Sequence, residues 1–153
     1  MKNYKDFERL VANRLKIFFP AARRGLQFQD GDYQPDVVGT PFYVECKTGK
    51  KDLQIAMGSN HVRHFNMEKP DQVEALYQYY YNRMKKWRDE NNGKDLPVII
   101  VWKYNNKHKT WVTLETRLYL ELKGTEADAG TTYSLLTTID FVEFQDLLRK
   151  TYD

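Results

Sequence analysis

The feature that most constrains the fold is an amphipathic stretch followed closely by a wholly apolar one. Residues 70–91 carry apolar side chains at helical spacing, which predicts a helix with one buried face. Pro70 suits the first helical position, and Asn92-Gly93 marks the end. Residues 97–102 form a continuous apolar run, typical of a central strand buried on both faces. Together with the elements below, this pair predicts a mixed α/β domain.

The remaining periodicities are shorter. Residues 4–19 carry an apolar stripe that predicts an amphipathic helix ending at Pro20. Residues 48–69 have no clean period, so we interpret them as a long loop with one short helical turn at most. Residues 140–150 predict a closing helix, with Asp140 as N-cap and Glu143 in the capping-box position. Residues 116–123 are ambiguous. Short strands are predicted at 25–29, 37–38, 42–47, 109–114 and 133–139, with a turn signal at 30–32 and a three-residue connection at 39–41.

Composition excludes several classes of protein. The 153 residues predict one domain covering 1–153, and 41% hydrophobic residues exclude a mainly disordered chain. No apolar run of about 18 residues exists, so no membrane span or membrane partner is expected. The start lacks the apolar stretch of a secretory signal, and Cys46 is the single cysteine, which together indicate a soluble, cytoplasmic protein. A net charge of +3 does not by itself indicate nucleic-acid binding.

The segment 34–47 carries the candidate chemistry. Glu45 and Lys47 alternate along one strand and therefore project from the same face. The preceding hairpin can bring Asp36 beside Glu45. Two adjacent carboxylates repel unless a cation lies between them, and hard oxygen ligands suit Mg²⁺. A lysine nearby can activate water or stabilise charge on a phosphate. The segment thus predicts hydrolysis of a phosphodiester bond.

This pattern resembles the PD-(D/E)xK nuclease superfamily. Pro35-Asp36 and Glu45-Cys46-Lys47 match the two halves of its motif. Within the superfamily the chain is most similar to Holliday junction resolvases of archaeal and phage type, which carry Glu-Arg early in the first helix, as Glu8-Arg9 does here. Those resolvases also carry an arginine between that helix and the Asp motif, where Arg23-Arg24 lie in this chain. Glu8 borders the apolar stripe of that helix and can face inward. The resemblance implies a restriction-endonuclease-like core, in which a mixed central β-sheet is flanked by helices.

The resemblance also implies roles for individual residues. Glu8, Asp36, Glu45 and the backbone carbonyl of Cys46 would hold Mg²⁺, for which Mn²⁺ could substitute, and Lys47 would position or activate water. The substrate would be DNA, in particular four-way junctions, and symmetric cutting of two strands implies a homodimer. Such proteins are encoded by bacteria, archaea or phages. DNA contacts are expected from Arg9, Arg23, Arg24, Lys50, Lys51 and Gln72.

Other interpretations remain open at this point. Asp36 could be a turn residue, and Glu45 with Lys47 a solvent-facing alternation on an edge strand. The enzyme could be a restriction-like, homing or repair endonuclease, or an exonuclease, in which residues 48–69 contact bases. The chain could also be a non-catalytic DNA-binding module or a protein-interaction domain. We interpret His61 and His64 as loop residues, since nothing nearby completes a zinc site.

Overall fold

A computed structural model of the chain describes residues 4–26, 33–125 and 135–152. In these ranges the helices are α1 (Tyr4–Lys16), α2 (Pro70–Glu90), α3 (Thr116–Lys123) and α4 (Phe141–Tyr152). The strands are β1 (Arg23–Arg24), β2 (Val37–Val38), β3 (Tyr43–Gly49), β4 (Leu53–Ala56), β5 (Val62–Phe65), β6 (Val98–Tyr104), β7 (Trp111–Glu115) and β8 (Leu136–Asp140).

Six of these strands form one mixed sheet in the order β1-β2-β3-β6-β7-β8. The central strands β3 and β6 run parallel, from the pair Tyr43↔Val98 to the pair Gly49↔Tyr104. The neighbouring pairs in the sheet are antiparallel. The predicted α/β class, with a mixed central sheet flanked by helices, is confirmed.

The two faces of the sheet are covered by different helices. In β6, Ile99 and Val101 pack with α1, α3 and α4, whereas Ile100 and Trp102 pack with α2. This alternation explains why residues 97–102 are apolar throughout, because both faces of the strand are buried. None of the described helices is long and apolar enough to cross a membrane.

The helix predictions hold with small differences at the ends. α1 ends at Lys16 rather than at 19, because the Phe18 and Phe19 amides both donate to the Leu15 carbonyl and close a turn. Asp140 is the N-cap of α4, since its Oδ1 accepts a hydrogen bond from the Val142 amide at 2.8 Å. The expected capping-box partner Glu143 instead accepts a bond from the Tyr119 hydroxyl. The ambiguous residues 116–123 form α3.

The predicted long loop at 48–69 is wrong. Most of it is a β-hairpin in which β4 pairs antiparallel with β5. Leu53, Ile55 and Phe65 are buried under the hairpin, but the basic residues around them hide this short alternation in the sequence. The strand expected at 25–29 lies earlier in the chain, at Arg23–Arg24. Residues 27–32, including the predicted turn, and residues 133–134 of the predicted last strand lie outside the described part.

The hairpin between β2 and β3 is confirmed, and Gly39 allows it. Gly39 has φ +82°, and a Cβ there would lie 2.1 Å from the carbonyl oxygen of Ala21. Only glycine fits both this conformation and this close approach. The turn therefore packs against the loop that follows α1 and fixes where β2 meets β3.

Candidate active site

The β2–β3 hairpin places Asp36 and Glu45 side by side. Val37 pairs with Val44, so the antiparallel register sets Asp36 opposite Glu45. The Asp36 amide donates to the Val44 carbonyl, and Asp36 Oδ2 accepts a hydrogen bond from the Cys46 amide at 2.8 Å. The Asp36 side chain thus takes the place of a neighbouring strand beside Cys46. The interpretation of Asp36 as a free turn residue does not describe this geometry.

Of the two carboxyl groups, Glu45 is buried and Asp36 is half-buried, and the two side chains share a hydrogen bond. Glu45 is 5% exposed, and within the described residues its Oε1 is buried without a hydrogen-bond partner. Burial, followed by the charge of Asp36, raises the pKa of Glu45 well above its ordinary value. Burial also raises the pKa of Asp36, although the Cys46 amide and a hydrogen bond with Glu45 act in the opposite direction. A proton or a cation between the two groups would relieve the unfavourable burial of negative charge.

Glu8 of α1 contributes a third carboxyl group, which is buried. Its Oε1 accepts from Nε of Arg24 and also lies 3.1 Å from Arg24 Nη2. Burial, then the charge of Asp36, raises the pKa of Glu8 to about 7, while Arg24 and Lys47 lower it. Within the described residues, no three His, Cys, Asp or Glu side chains are arranged to hold a metal ion. Glu8 is thus paired with Arg24, whereas Asp36 and Glu45 are paired with each other.

Lys47 lies on the same face of β3 as Glu45, as the alternation predicts. Its Nζ donates to the backbone carbonyl of Gln54 in β4 at 2.8 Å. Burial lowers the pKa of Lys47, while Asp36 and Glu45 raise it. This position gives the carboxyl pair a nearby ammonium that the backbone of β4 holds in place.

Cys46 lies on the opposite face of β3, in the core beside α1. Burial raises the pKa of its thiol well above the ordinary value, with Asp36 and Glu8 acting in the same direction. The thiol therefore stays protonated and makes a poor nucleophile. The expectation that Cys46 is a buried structural cysteine is confirmed by its 7% exposure.

Arg83 of α2 is a residue near the site that the sequence interpretation missed. Its side chain hydrogen-bonds with Tyr43 and Tyr79. Burial lowers the pKa of Arg83, but Glu45 and Tyr43 outweigh this and raise it overall. The helical period could have indicated this residue. Arg83 follows Tyr79 by four residues, so the two are neighbours on α2, and Arg83 borders the buried face of the helix.

The other basic candidates lie around this centre in different settings. Arg9 is exposed and pairs with Asp6, three residues before it in α1. Arg23 is exposed beside the half-buried Arg24. Lys50 and Lys51 are exposed in the turn between β3 and β4.

Gln72 makes a local contact rather than one with the carboxyl pair. Its Oε1 accepts a hydrogen bond from the Asn66 amide at 2.7 Å and closes the turn before α2. Eleven residues separate Gln72 from Arg83, which is about 16 Å along a helix. A charged residue of α2 that acts on Glu45 is Arg83, three turns further along the helix.

A comparison with known protein families finds no family that matches the chain, and no curated protein or solved structure matches it either.

Proposed function

We propose that the protein is a Mg²⁺-dependent endodeoxyribonuclease with a restriction-endonuclease-like core, acting on branched DNA such as four-way junctions. The observation that supports this most is the buried Glu45 Oε1, which has no partner among the described residues and lies beside Asp36. Buried carboxylate oxygens without a partner are costly, and functional sites are where such costs are retained. A site that binds a cation would explain this one.

The donor set fits Mg²⁺. Asp36 and Glu45 offer carboxylate oxygens, and the Cys46 carbonyl points to the same strand edge as its own amide. Glu8 could join on leaving Arg24. Oxygen ligands suit Mg²⁺, and Mn²⁺ accepts the same ligands. When bound, the metal would lower the pKa of a water and offset charge on a phosphate.

The chain itself supplies cations around this centre. Lys47 Nζ, held by the Gln54 carbonyl, can stabilise negative charge that develops on a phosphate. Its lowered pKa also makes Nζ better able to exchange a proton near neutral pH than an exposed lysine. Arg83 adds a fixed positive charge from α2. The charges of both groups act on Glu45, so both could help to neutralise a phosphate bound beside it.

The choice of branched DNA depends on the resemblance of Glu8-Arg9 and Arg23-Arg24 to junction resolvases. Arg9 and Arg23 are exposed, as are the two lysines of the β3–β4 turn, so all can reach phosphates. Symmetric cutting of a junction requires two active sites and hence a homodimer. We place the protein in the cytoplasm, where its single thiol would stay reduced.

The test is cleavage of a labelled four-way junction and a matched linear duplex, each with Mg²⁺ or with EDTA. We expect the junction to be cut in Mg²⁺ and to remain intact in EDTA. Preferred cutting of the duplex would favour a restriction-like or repair endonuclease, and degradation from ends an exonuclease. Binding of DNA without cutting under any of these conditions would favour a non-catalytic DNA-binding module.

Asp36→Asn ties the activity to this site. The amide oxygen can still accept from the Cys46 amide, so the fold is retained, while a carboxylate ligand is lost. We expect cleavage to be abolished, Mg²⁺ binding by calorimetry to weaken, and junction binding in EDTA to be equal or tighter. Asp71→Asn makes the same chemical change at an exposed position in α2 and should leave all three unchanged. Cleavage by Asp36→Asn at the wild-type rate would refute the assignment.

A further inference from the structure

The β4–β5 hairpin presents one buried and one exposed face. Leu53, Ile55 and Phe65 are buried against α2 and the sheet. The opposite face, which we call the outer face of the ribbon, is exposed. It consists of two cross-strand pairs, Gln54↔His64 and Ala56↔Val62. The buried face of the ribbon packs on the core. The outer face can therefore contact a partner without a rearrangement of the ribbon.

The ribbon adjoins the candidate active site. Gln54, whose side chain is on the outer face, uses its backbone carbonyl to hold Lys47 Nζ at 2.8 Å. β4 also follows β3 after a turn of only three residues. A molecule lying on the outer face would therefore contact the strand that holds Lys47, which is one residue of the candidate site.

The charge around the ribbon favours a polyanion. Residues 50–65 contain Lys50, Lys51 and Arg63 but only one acidic residue, Asp52. That carboxylate is engaged within the ribbon, because its oxygens contact His64 Nδ1 at 3.0 Å and Gln54 Nε2 at 3.4 Å. Asp52 thus orients the two polar side chains of the outer face rather than presenting an isolated negative charge.

We propose that the outer face of the ribbon binds duplex DNA in its major groove, next to the bond that is cut. The major groove admits a two-stranded β-ribbon, and amide side chains such as that of Gln54 can hydrogen-bond with base edges there. Lys50 and Lys51 at the base of the ribbon would contact flanking phosphates. This inference rests on the proposed nuclease function and names the surface that holds the substrate.

A crosslinking experiment tests the contact directly. The single native thiol, Cys46, is buried, so a thiol-reactive photocrosslinker can be directed to an introduced cysteine. We expect labelled Ala56→Cys to crosslink to a four-way junction in EDTA, within a few base pairs of the position that is cut in Mg²⁺. The control is Gln78→Cys. Gln78 is an exposed residue of α2 that lines a pocket with Tyr81 and Glu115, away from the ribbon. This variant should give no crosslink.

Charge variants give an independent measurement. Ala56→Glu should weaken junction binding at low salt on the order of tenfold, and Ala56→Lys should strengthen it, because phosphates lie within a few ångströms of the ribbon. Gln78→Glu and Gln78→Lys make comparable charge changes and should alter binding less than twofold.

The outcomes separate the two proposals. If the wild-type protein binds and cuts DNA but position 56 neither crosslinks nor responds to charge, the ribbon assignment is overturned and the nuclease proposal stands. The same holds if position 78 crosslinks as well as position 56 does. If the wild-type protein binds no DNA in any form, both proposals fall.

Discussion

Replacing Glu8 with glutamine should make the stability of the protein less dependent on pH. In the folded protein, burial raises the pKa of Glu8 from 4.5 to about 7. Between these values the folded state holds a proton that the unfolded chain has released. The free energy of unfolding therefore falls as pH rises from 4.5 to 7, and below 4.5 the carboxyl group contributes no difference between the states.

The size of the effect follows from the pKa shift. One pKa unit corresponds to about 1.36 kcal/mol, so an ionised Glu8 costs the fold roughly 3 kcal/mol. About 2 kcal/mol of this develops between about pH 5 and pH 8. The glutamine side chain keeps an oxygen that can accept from Arg24 but cannot ionise. The free energies of unfolding of Glu8→Gln and the wild type should therefore be closer at pH 5 than at pH 8. At pH 8 the variant should be the more stable protein.

The assay is urea unfolding in EDTA at several pH values between 5 and 8. Glu121→Gln makes the same change at an exposed position in α3 and should follow the wild-type profile. Parallel profiles for Glu8→Gln and the wild type would show that Glu8 does not titrate in this range. The account of the site as a cluster of buried carboxyl groups would then be wrong.

Three further predictions concern catalysis, DNA contact and the fold. Lys47→Ala should abolish cleavage in Mg²⁺ while junction binding in EDTA persists, because the ammonium acts on charge in the transition state; cleavage at the wild-type rate would contradict this role. Arg23→Ala should weaken binding to all DNA sequences alike, and it should reduce the slope of log Kd against log salt concentration by about one, since one phosphate contact is lost. A change in sequence preference would favour a restriction-like enzyme. Gly39→Ala should lower the free energy of unfolding by about 2–4 kcal/mol, since its Cβ meets the Ala21 carbonyl at positive φ. In thermal melts, Gly124→Ala, at a similar φ with open space, should lose less.

The elements whose signals are local and strong could be predicted from the sequence. The periodicity of residues 70–91 and the apolar run 97–102 correspond to α2 and β6 with boundaries shifted by no more than two residues. The three-residue connection at 39–41 was enough to predict that Asp36 meets Glu45. A short hairpin fixes register within about ten residues, so little tertiary information is needed for that contact.

Which more distant side chains join this pair depends on how the elements pack together. The charge of Arg83 acts on Glu45 because α2 packs across the parallel β3–β6 unit, and Arg24 binds Glu8 across sixteen residues. The ribbon was not predicted, because each of its strands has only four residues. An apolar–polar alternation this short is hard to recognise among the basic residues in and around it. Contacts of this kind form when separate elements pack against a common core, which periodicity along the chain does not encode.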